Sequence, residues 1–350
     1  MKSLRPLITR GKGLVAVILP DTITSARYTE FDAPFLTKAF EMAGFHASQF
    51  IVENAQGSRS TELSMAESAI TKGATVLAMD PLDSGVGVQI EKYSASHGVK
   101  VINYDRLALG STRNNYYVSF NNIQVGKMIG QGFASCVSAW HVNHPQVLVM
   151  RGSPHDNNAT LYAQGYNSVL KPYFSSGKYI RVGHPAGTWQ PDKALTTFQE
   201  EYTAHPNINA VVTPNDEDAA PIINYLKNLH VPPRTFPVTG QDATLIGLQN
   251  ILAGYQCGTV YKPIYLEAQA TVALATYLRA GLDPPSTLLN AKTYDPTTHQ
   301  YVPSVLLKPE WITAMTMAKT VIADRFVPVS QLCTAPYADA CYVVGITSKP

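Results

Sequence analysis

Apolar runs of four to six residues recur along the chain, separated by longer stretches whose apolar positions fall at helical spacing. Short continuous apolar runs suit strands buried on both faces, and their alternation with helix-length segments is the pattern of βαβ units in a parallel sheet. The first half predicts strand 14–19, helix 34–43, strand 46–52, helix 60–72, strand 75–78, helix 87–97, strand 100–104 and strand 116–120, leading into a long segment at 125–138. A second set predicts strand 147–150, helix 160–173, strand 179–183, helix 192–204, strand 210–213, helix 219–229, strand 237–239, helix 243–253, strand 256–261 and helix 265–280. A Pro-rich region and a last helix over 309–325 complete the pattern. Two successive βα sets of similar size, with no low-complexity linker, predict an α/β protein of two similar lobes with short crossing segments.

In open α/β sheets ligands sit outside the carboxyl ends of the strands. Here those ends carry Asp21 with Arg27 and Tyr28 just beyond, then Asp80, then Asp105 and Arg106. Farther on come Arg151 through Asn158, Asn215 with Asp216, and Gln241 with Asp242. Any one of them reads as a polar loop or a helix cap. The whole set reads as convergence on one crevice. Asp, Asn and Arg supply hydrogen-bond donors and acceptors but no nucleophile, which suits holding a polyhydroxylated ligand rather than breaking it.

Several residues have a plainer reading beside the functional one. Asp216 precedes Glu217 and Asp218 in an acidic cluster suited to a helix N-terminus, so it reads as a cap before a ligand. Trp189, on a loop between Gly187-Thr188 and Gln190-Pro191, reads as a ligand wall, whereas Trp140 and Trp311 lie in helical contexts and read as packing residues. His141 and His144 flank Asn143 in a loop and read as exposed and unpaired rather than as a metal site. No Gly-x-Ser-x-Gly elbow and no Cys with a convergent His is present.

Composition narrows the function classes. The chain has 350 residues, 45% hydrophobic, 15% charged, with a formal net charge of +2. Absence of a basic stripe excludes nucleic acid as a partner, because phosphate neutralisation needs clustered Lys and Arg. No 18-residue apolar run marks a membrane span. The N-terminus, Met1-Lys2-Ser3-Leu4-Arg5-Pro6, has the basic start of a signal peptide without its apolar region. Either the protein is cytoplasmic or a signal has been replaced by a starting Met. Cys333 and Cys341 bracket a short loop near the C-terminus, which suits a disulfide and an exported protein. Cys136 and Cys257 supply a second potential pair whose connectivity stays open.

Taken in order, Ala26-Arg27-Tyr28, Asn103 to Arg106, Gly152 to Ala159, Gly187 to Pro191, Pro214 to Asp216, Gly240 to Ala243 and Val260 to Pro263 resemble the periplasmic sugar-binding proteins of ABC transporters. The xylose-binding members are the nearest, and the likeness runs from about Gly13 to Arg325. The resemblance implies two doubly wound parallel-sheet lobes on a three-segment hinge that close on sugar like a jaw. It places residues 13–122 and 263–291 in one lobe and 123–262 and 292–327 in the other, with crossings near 121–125, 261–263 and 291–293. Residues 328–350 form a C-terminal tail beyond the family core. It implies that Arg27, Tyr28, Asp105 and Arg106 come from the first lobe. Asp156, Asn158, Trp189, Asn215 and Asp242 would come from the second and Lys262 from the hinge, with Tyr28 and Trp189 as flat walls. It further implies no cofactor, a monomer, a membrane permease as partner, and a periplasmic or extracellular location with a lipid anchor compatible. Tyr28 stands where xylose-binding members carry Trp, and His155 where a small apolar residue is common. The ligand is therefore expected to be xylose, another pentose, a hexose or a sugar alcohol.

Two other functions suit such a chain. The effector-binding core of a sugar-responsive transcription regulator would need a DNA-binding module of ~50–60 residues ahead of the first strand, which begins near Leu14. A sugar-active enzyme would use paired carboxylates such as Asp156 and Asp242. Neighbouring Arg27, Arg106 and Lys262 would instead keep them ionised.

Overall fold

The computed structural model describes residues 1–111 and 115–347. The chain opens with α1 (Arg5–Arg10), β1 (Leu14–Leu19), α2 (Ala33–Ala43), β2 (Phe50–Asn54), α3 (Arg59–Thr71), β3 (Ala74–Met79), α4 (Ser84–Ser96), β4 (Lys100–Tyr104) and β5 (Asn115–Phe120). It continues through α5 (Asn122–Ala139), β6 (Gln146–Val149), α6 (Asn157–Ser175), β7 (Ile180–Val182), α7 (Pro191–Ala204), β8 (Ala210–Val212), α8 (Asp216–Asn228), α9 (Leu245–Leu252) and β9 (Thr259–Tyr261). Last come α10 (Ile264–Arg279), β10 (Ala291–Asp295), β11 (Gln300–Leu307), β12 (Glu310–Ile312), α11 (Val329–Leu332) and α12 (Ala338–Val343). Several helices start where short polar side chains accept a first-turn N–H: Ser58 for α3, Asp83 for α4, Asn215 for α8 and Thr244 for α9. This satisfies donors that the helix itself leaves open.

Two compact units result. The first comprises Met1–Asn121, His155–Asn158 and Pro263–Lys308. Its seven-stranded sheet has the order β10-β11-β5-β4-β3-β1-β2, parallel throughout except for β10, which runs antiparallel to β11. Side chains alternate across a strand, so the unbroken apolar run of β1 feeds two cores. Val15, Val17 and Leu19 join Leu36 and Phe40 of α2 and Val272 and Leu278 of α10. Ala16 and Ile18 join Ala66 and Ile70 of α3 and Ile90 of α4. The run is apolar throughout because both faces are covered.

The second unit comprises Asn122–Pro154, Ala159–Lys262 and Pro309–Pro350. Parallel strands β7-β6-β8 form one sheet, and β9 pairs antiparallel with β12. Residues 237–239, expected as a strand, and the following Gln241 connect the two through single parallel bridges, Val211 to Val238 and Gln241 to Val260. Leu148, Phe198, Ile222 and Phe236 fill the core between β6, α7 and α8. Both disulfides lie here: Cys333–Cys341, as its spacing suggested, and Cys136–Cys257.

Three sequence expectations are corrected. Residues 292–308 were expected in the second lobe, but β10 and β11 form a hairpin in the first unit's sheet, with β11 beside β5. The chain leaves that unit at 308–309 rather than near 291–293. Pro303 disguised this strand, since proline reads against a strand interior; it sits opposite Lys292 before pairing with β5 begins at Ser304. Residues 309–325 were expected as a helix. Instead Trp311 and Ile312 ladder onto β9, Thr316 Oγ1 accepts the Thr313 N–H at 2.9 Å, and only a short helical turn at Met317–Lys319 follows. Ring and β-branched side chains at 311–313 favour this pleated pairing. Trp311 is a packing residue, but from a strand: its indole covers Gly132 and Gly258, where any Cβ would collide with it. The tail also belongs to the fold, for Leu332 and Cys341 are buried and Gln249 donates to the Gln331 carbonyl at 3.1 Å. Its positions 348–350 lie outside the described residues.

Candidate functional site

In the first unit six of the expected residues come together: Arg27, Tyr28, Asp105 and Arg106, with Asp156 and Asn158, which were expected from the second lobe. Arg27 is buried and binds three carboxylates. Its Nε and one Nη donate to Asp32 at 2.9 and 2.7 Å, that Nη also to Glu267 at 2.8 Å, and the other Nη to Asp105 at 3.0 Å. Those bonds occupy four of the five guanidinium N–H groups. Tyr104 donates its hydroxyl to Asp32 as well. Burial by itself would lower the Arg27 pKa; the charges of Asp105, Asp32 and Glu267 reverse that and hold it well above its ordinary value.

Asp105 ends β4 with φ at +57°, a left-handed conformation that a non-glycine residue keeps only when its surroundings enforce it. They do so thoroughly. Its carbonyl accepts from Tyr117, Ser119 and the Asn158 side-chain amide at 2.9, 2.8 and 3.0 Å, and its N–H donates to the Val118 carbonyl. Tyr117 also donates to Asn158 Oδ1 at 3.2 Å, and the Asn158 N–H donates to Asp156 at 2.8 Å. Tyr28 donates to Asp105 at 3.3 Å, while the guanidinium groups of Arg27 and Arg106 lie 5.4 and 5.5 Å from its ring centre. Its hydroxyl pKa is raised well above normal, first by burial.

Arg106 Nε lies 3.4 Å from Asp156 and 3.6 Å from Asp80. Asp80 ends β3 and is fully buried, yet neither carboxylate oxygen receives a hydrogen bond among the described residues. Burial pushes its carboxyl well above the usual range, with Arg106 pulling the other way. An acceptor so placed costs free energy unless a donor reaches it. Asp80 was visible as a strand end but was not among the expected contacts, though the same signal that singled out Asp105 marks it. Asp32 and Glu267 were missed outright, since Glu267 sits in an otherwise helical pattern and nothing local tells that it faces an arginine.

In the second unit Lys262 and Asp242, both buried, form an ion pair at 2.9 Å, and Gln241 Nε2 lies 3.3 Å from the other Asp242 oxygen. Asp242 and Ala243 have φ of +92° and +50°, two consecutive left-handed residues worth of order 1–3 kcal/mol of strain each. Trp189 lies on its loop and is buried. Its ring stands edge-on to Tyr162 at 6.4 Å and lies on Gly152, where a Cβ would collide with the indole. Asn215 is the N-cap of α8, accepting the Asp218 N–H at 2.9 Å, while Asp216 is no cap: its carboxylate accepts from Thr244, Gln256 and Thr259. His155 is exposed. Among the described residues no group of three or more His, Cys, Asp or Glu is arranged to hold a metal ion.

Residues 15–283 match the periplasmic binding protein domain family. The chain belongs to that family. The D-xylose-binding periplasmic protein of Escherichia coli is 34% identical over 304 residues, covering 86% of this chain and 87% of that protein. The multiple sugar-binding periplasmic protein SbpA of Azospirillum brasilense is 31% identical, with 92% and 91% covered. A Chloroflexus aurantiacus carbohydrate transporter solute-binding protein, solved with D-glucose, matches with a TM-score of 0.81 at 24% identity, covering 91% of this chain and 98% of that one, which establishes the shared fold. The α/β architecture is thus that of periplasmic binding proteins, a family of binding proteins rather than enzymes. No helix among the described residues is long and apolar enough to cross a membrane.

Proposed function

We propose that this periplasmic binding protein is the extracytoplasmic receptor of an ABC transporter, that it captures a monosaccharide or sugar alcohol, and that it delivers the ligand to a membrane permease. The supporting observation is the buried set Asp80, Asp105, Arg106, Asp156 and Asn158, in which Asp80 is ion-paired with Arg106 at 3.6 Å but accepts no hydrogen bond from the described residues. Sugar hydroxyls both donate and accept, and bonds to charged partners are worth about 1.5–3 kcal/mol against about 1 for neutral pairs. A few such bonds give micromolar affinity, about −8 kcal/mol. On this reading Asp80, Asp105, Asp156, Asn158 and Arg106 contact sugar with Asp242, Lys262 and Asn215, and Tyr28 and Trp189 supply flat surfaces. Arg27, with most of its donors engaged, chiefly orients Asp105. Relatives named for D-xylose and for multiple sugars support a sugar of this size. Calorimetry against pentoses, hexoses and polyols tests the reading, with micromolar binding of at least one expected. Silence across the panel would sink it.

A further inference from the structure

Asp216 is fully buried at the start of α8, and its carboxylate is where four donors meet. One oxygen accepts from the Thr244 N–H at 2.9 Å, the Thr244 hydroxyl at 3.2 Å and the Thr259 hydroxyl at 3.1 Å. The other accepts from the Gln256 amide at 2.7 Å, and the Asp216 N–H donates to the Gln241 carbonyl at 3.0 Å. These bonds bracket residues 241–244 from both sides. Within the bracket lie Asp242 and Ala243, both left-handed. Gly240 and Gly247 complete the enclosure, since a Cβ at either would collide with the Asp216 carboxylate. Asp242, presented in this way, meets Lys262.

We propose that Asp216 is a positioning residue that holds residues 241–244 in the conformation aiming Asp242 at the sugar, so that sugar affinity follows the proton occupancy of this one buried carboxylate. The proposal rests on the receptor reading above. A carboxylate accepts at both oxygens; once protonated it presents an O–H among donors. The two threonine hydroxyls rotate to accept it. The Thr244 N–H and the Gln256 amide donor have no such freedom, so protonation weakens the tie that keeps the loop left-handed.

Burial raises the Asp216 carboxyl to about 7, against hydrogen bonds from Thr244, Gln256 and Thr259 and with the Asp242 charge adding to the rise. Charged groups around it are Asp242, paired with Lys262, and Glu217 and Asp218 of the same helical turn; α9 carries none, and residue 256 and β9 bring neutral donors. Sugar that selects the ionised form lowers that pKa, so binding releases a proton near pH 7 and affinity falls as pH falls. Global stability responds with the opposite sign. A folded pKa raised above the unfolded one favours the folded state at low pH, and that contribution is lost as pH rises through about 7. A purely structural role would move affinity and stability together.

The test is calorimetry with D-xylose and D-glucose from pH 5.5 to 8.5, in buffers of different ionisation enthalpy, on the wild type and Asp216→Asn. The wild type should lose about tenfold in affinity as pH falls from 8.5 to 5.5, within the usual size of such couplings, and release up to one proton on binding near pH 7. Asp216→Asn should bind about tenfold more weakly at pH 8 and show no slope, because an amide offers one acceptor oxygen where the carboxylate offers two. Measurable binding with flat affinity, or a slope retained in Asp216→Asn, overturns the proposal and leaves the receptor reading standing. No binding of either sugar at any pH counts against the receptor reading instead. In that case amide exchange without ligand decides the role of Asp216. Corrected for intrinsic rates, the Asp242 and Thr244 amides should lose protection between pH 8 and 6 in the wild type and be unprotected in Asp216→Asn. Equal protection throughout would refute the tie.

Discussion

Replacing Arg27 by Met separates a scaffold from a ligand donor. The guanidinium is 1% exposed and holds Asp32, Asp105 and Glu267 through bonds of 2.7–3.0 Å. Methionine fills much of the same volume but leaves three buried carboxylates facing one another. Removing one partner of a buried pair costs about 3–5 kcal/mol, and with three carboxylates stranded the loss belongs at the upper end of that range. Urea unfolding at pH 8 should therefore show the variant about 4–5 kcal/mol less stable than the wild type. Arg27→Lys keeps the charge but not the planar fork, and should fall between the two. A loss below about 1 kcal/mol at pH 8, together with abolished sugar binding, would refute the scaffold role and make Arg27 primarily a ligand donor.

Three further outcomes follow from the same structure. Asp80→Asn should raise stability by about 1–2 kcal/mol at pH 8, because an ionised carboxylate without a donor is costly, and the gain should vanish as pH falls and Asp80 itself takes a proton; thermal unfolding at pH 8 and 5 reads both, and a less stable variant at pH 8 would count against it. Gly152→Ala forces a Cβ into the Trp189 indole and should weaken sugar binding by about 1–3 kcal/mol with little change in the far-ultraviolet circular dichroism spectrum; unchanged affinity would place Trp189 away from the ligand. Opening Cys136–Cys257, whose cysteines are 121 residues apart, should cost up to about 4–5 kcal/mol, and opening Cys333–Cys341, 8 apart, roughly 2.5, by loop entropy; Cys→Ser pairs compared by urea midpoint test the order, and a reversed order would contradict the loop argument.

Much of the architecture and part of the candidate site were legible in the residues. Buried parallel strands announce themselves as unbroken apolar runs, and β1, β3, β4, β6 and β8 all fell where such runs stood. Where pairing is short or an edge is involved, the periodic signal fails. Pro303 hid β11, and β12 is three residues long with a partner 50 residues earlier. The site divides in the same way. Asp105, Arg106, Asp156 and Asp242 stood out because polar residues at strand ends are where ligands meet an α/β sheet. Asp32 and Glu267 did not, because a buried carboxylate on a helix is distinguished only by the arginine it meets.

The sequence alone determined the alternation of strand and helix, the carboxyl-end placement of the polar residues, and the Cys333–Cys341 pairing. All are local properties of residue type and spacing. Tertiary structure decided what each polar residue does. It made Arg27 the hub of three carboxylates, set Asn215 as the N-cap of α8 and placed the Asp216 carboxylate among four donors. It also left Asp80 as an acceptor without a hydrogen-bond donor among the described residues. The physical reason is that a buried charge or hydrogen-bonding group acts through its partners, and those partners come from distant segments, 240 residues away for Arg27 and Glu267.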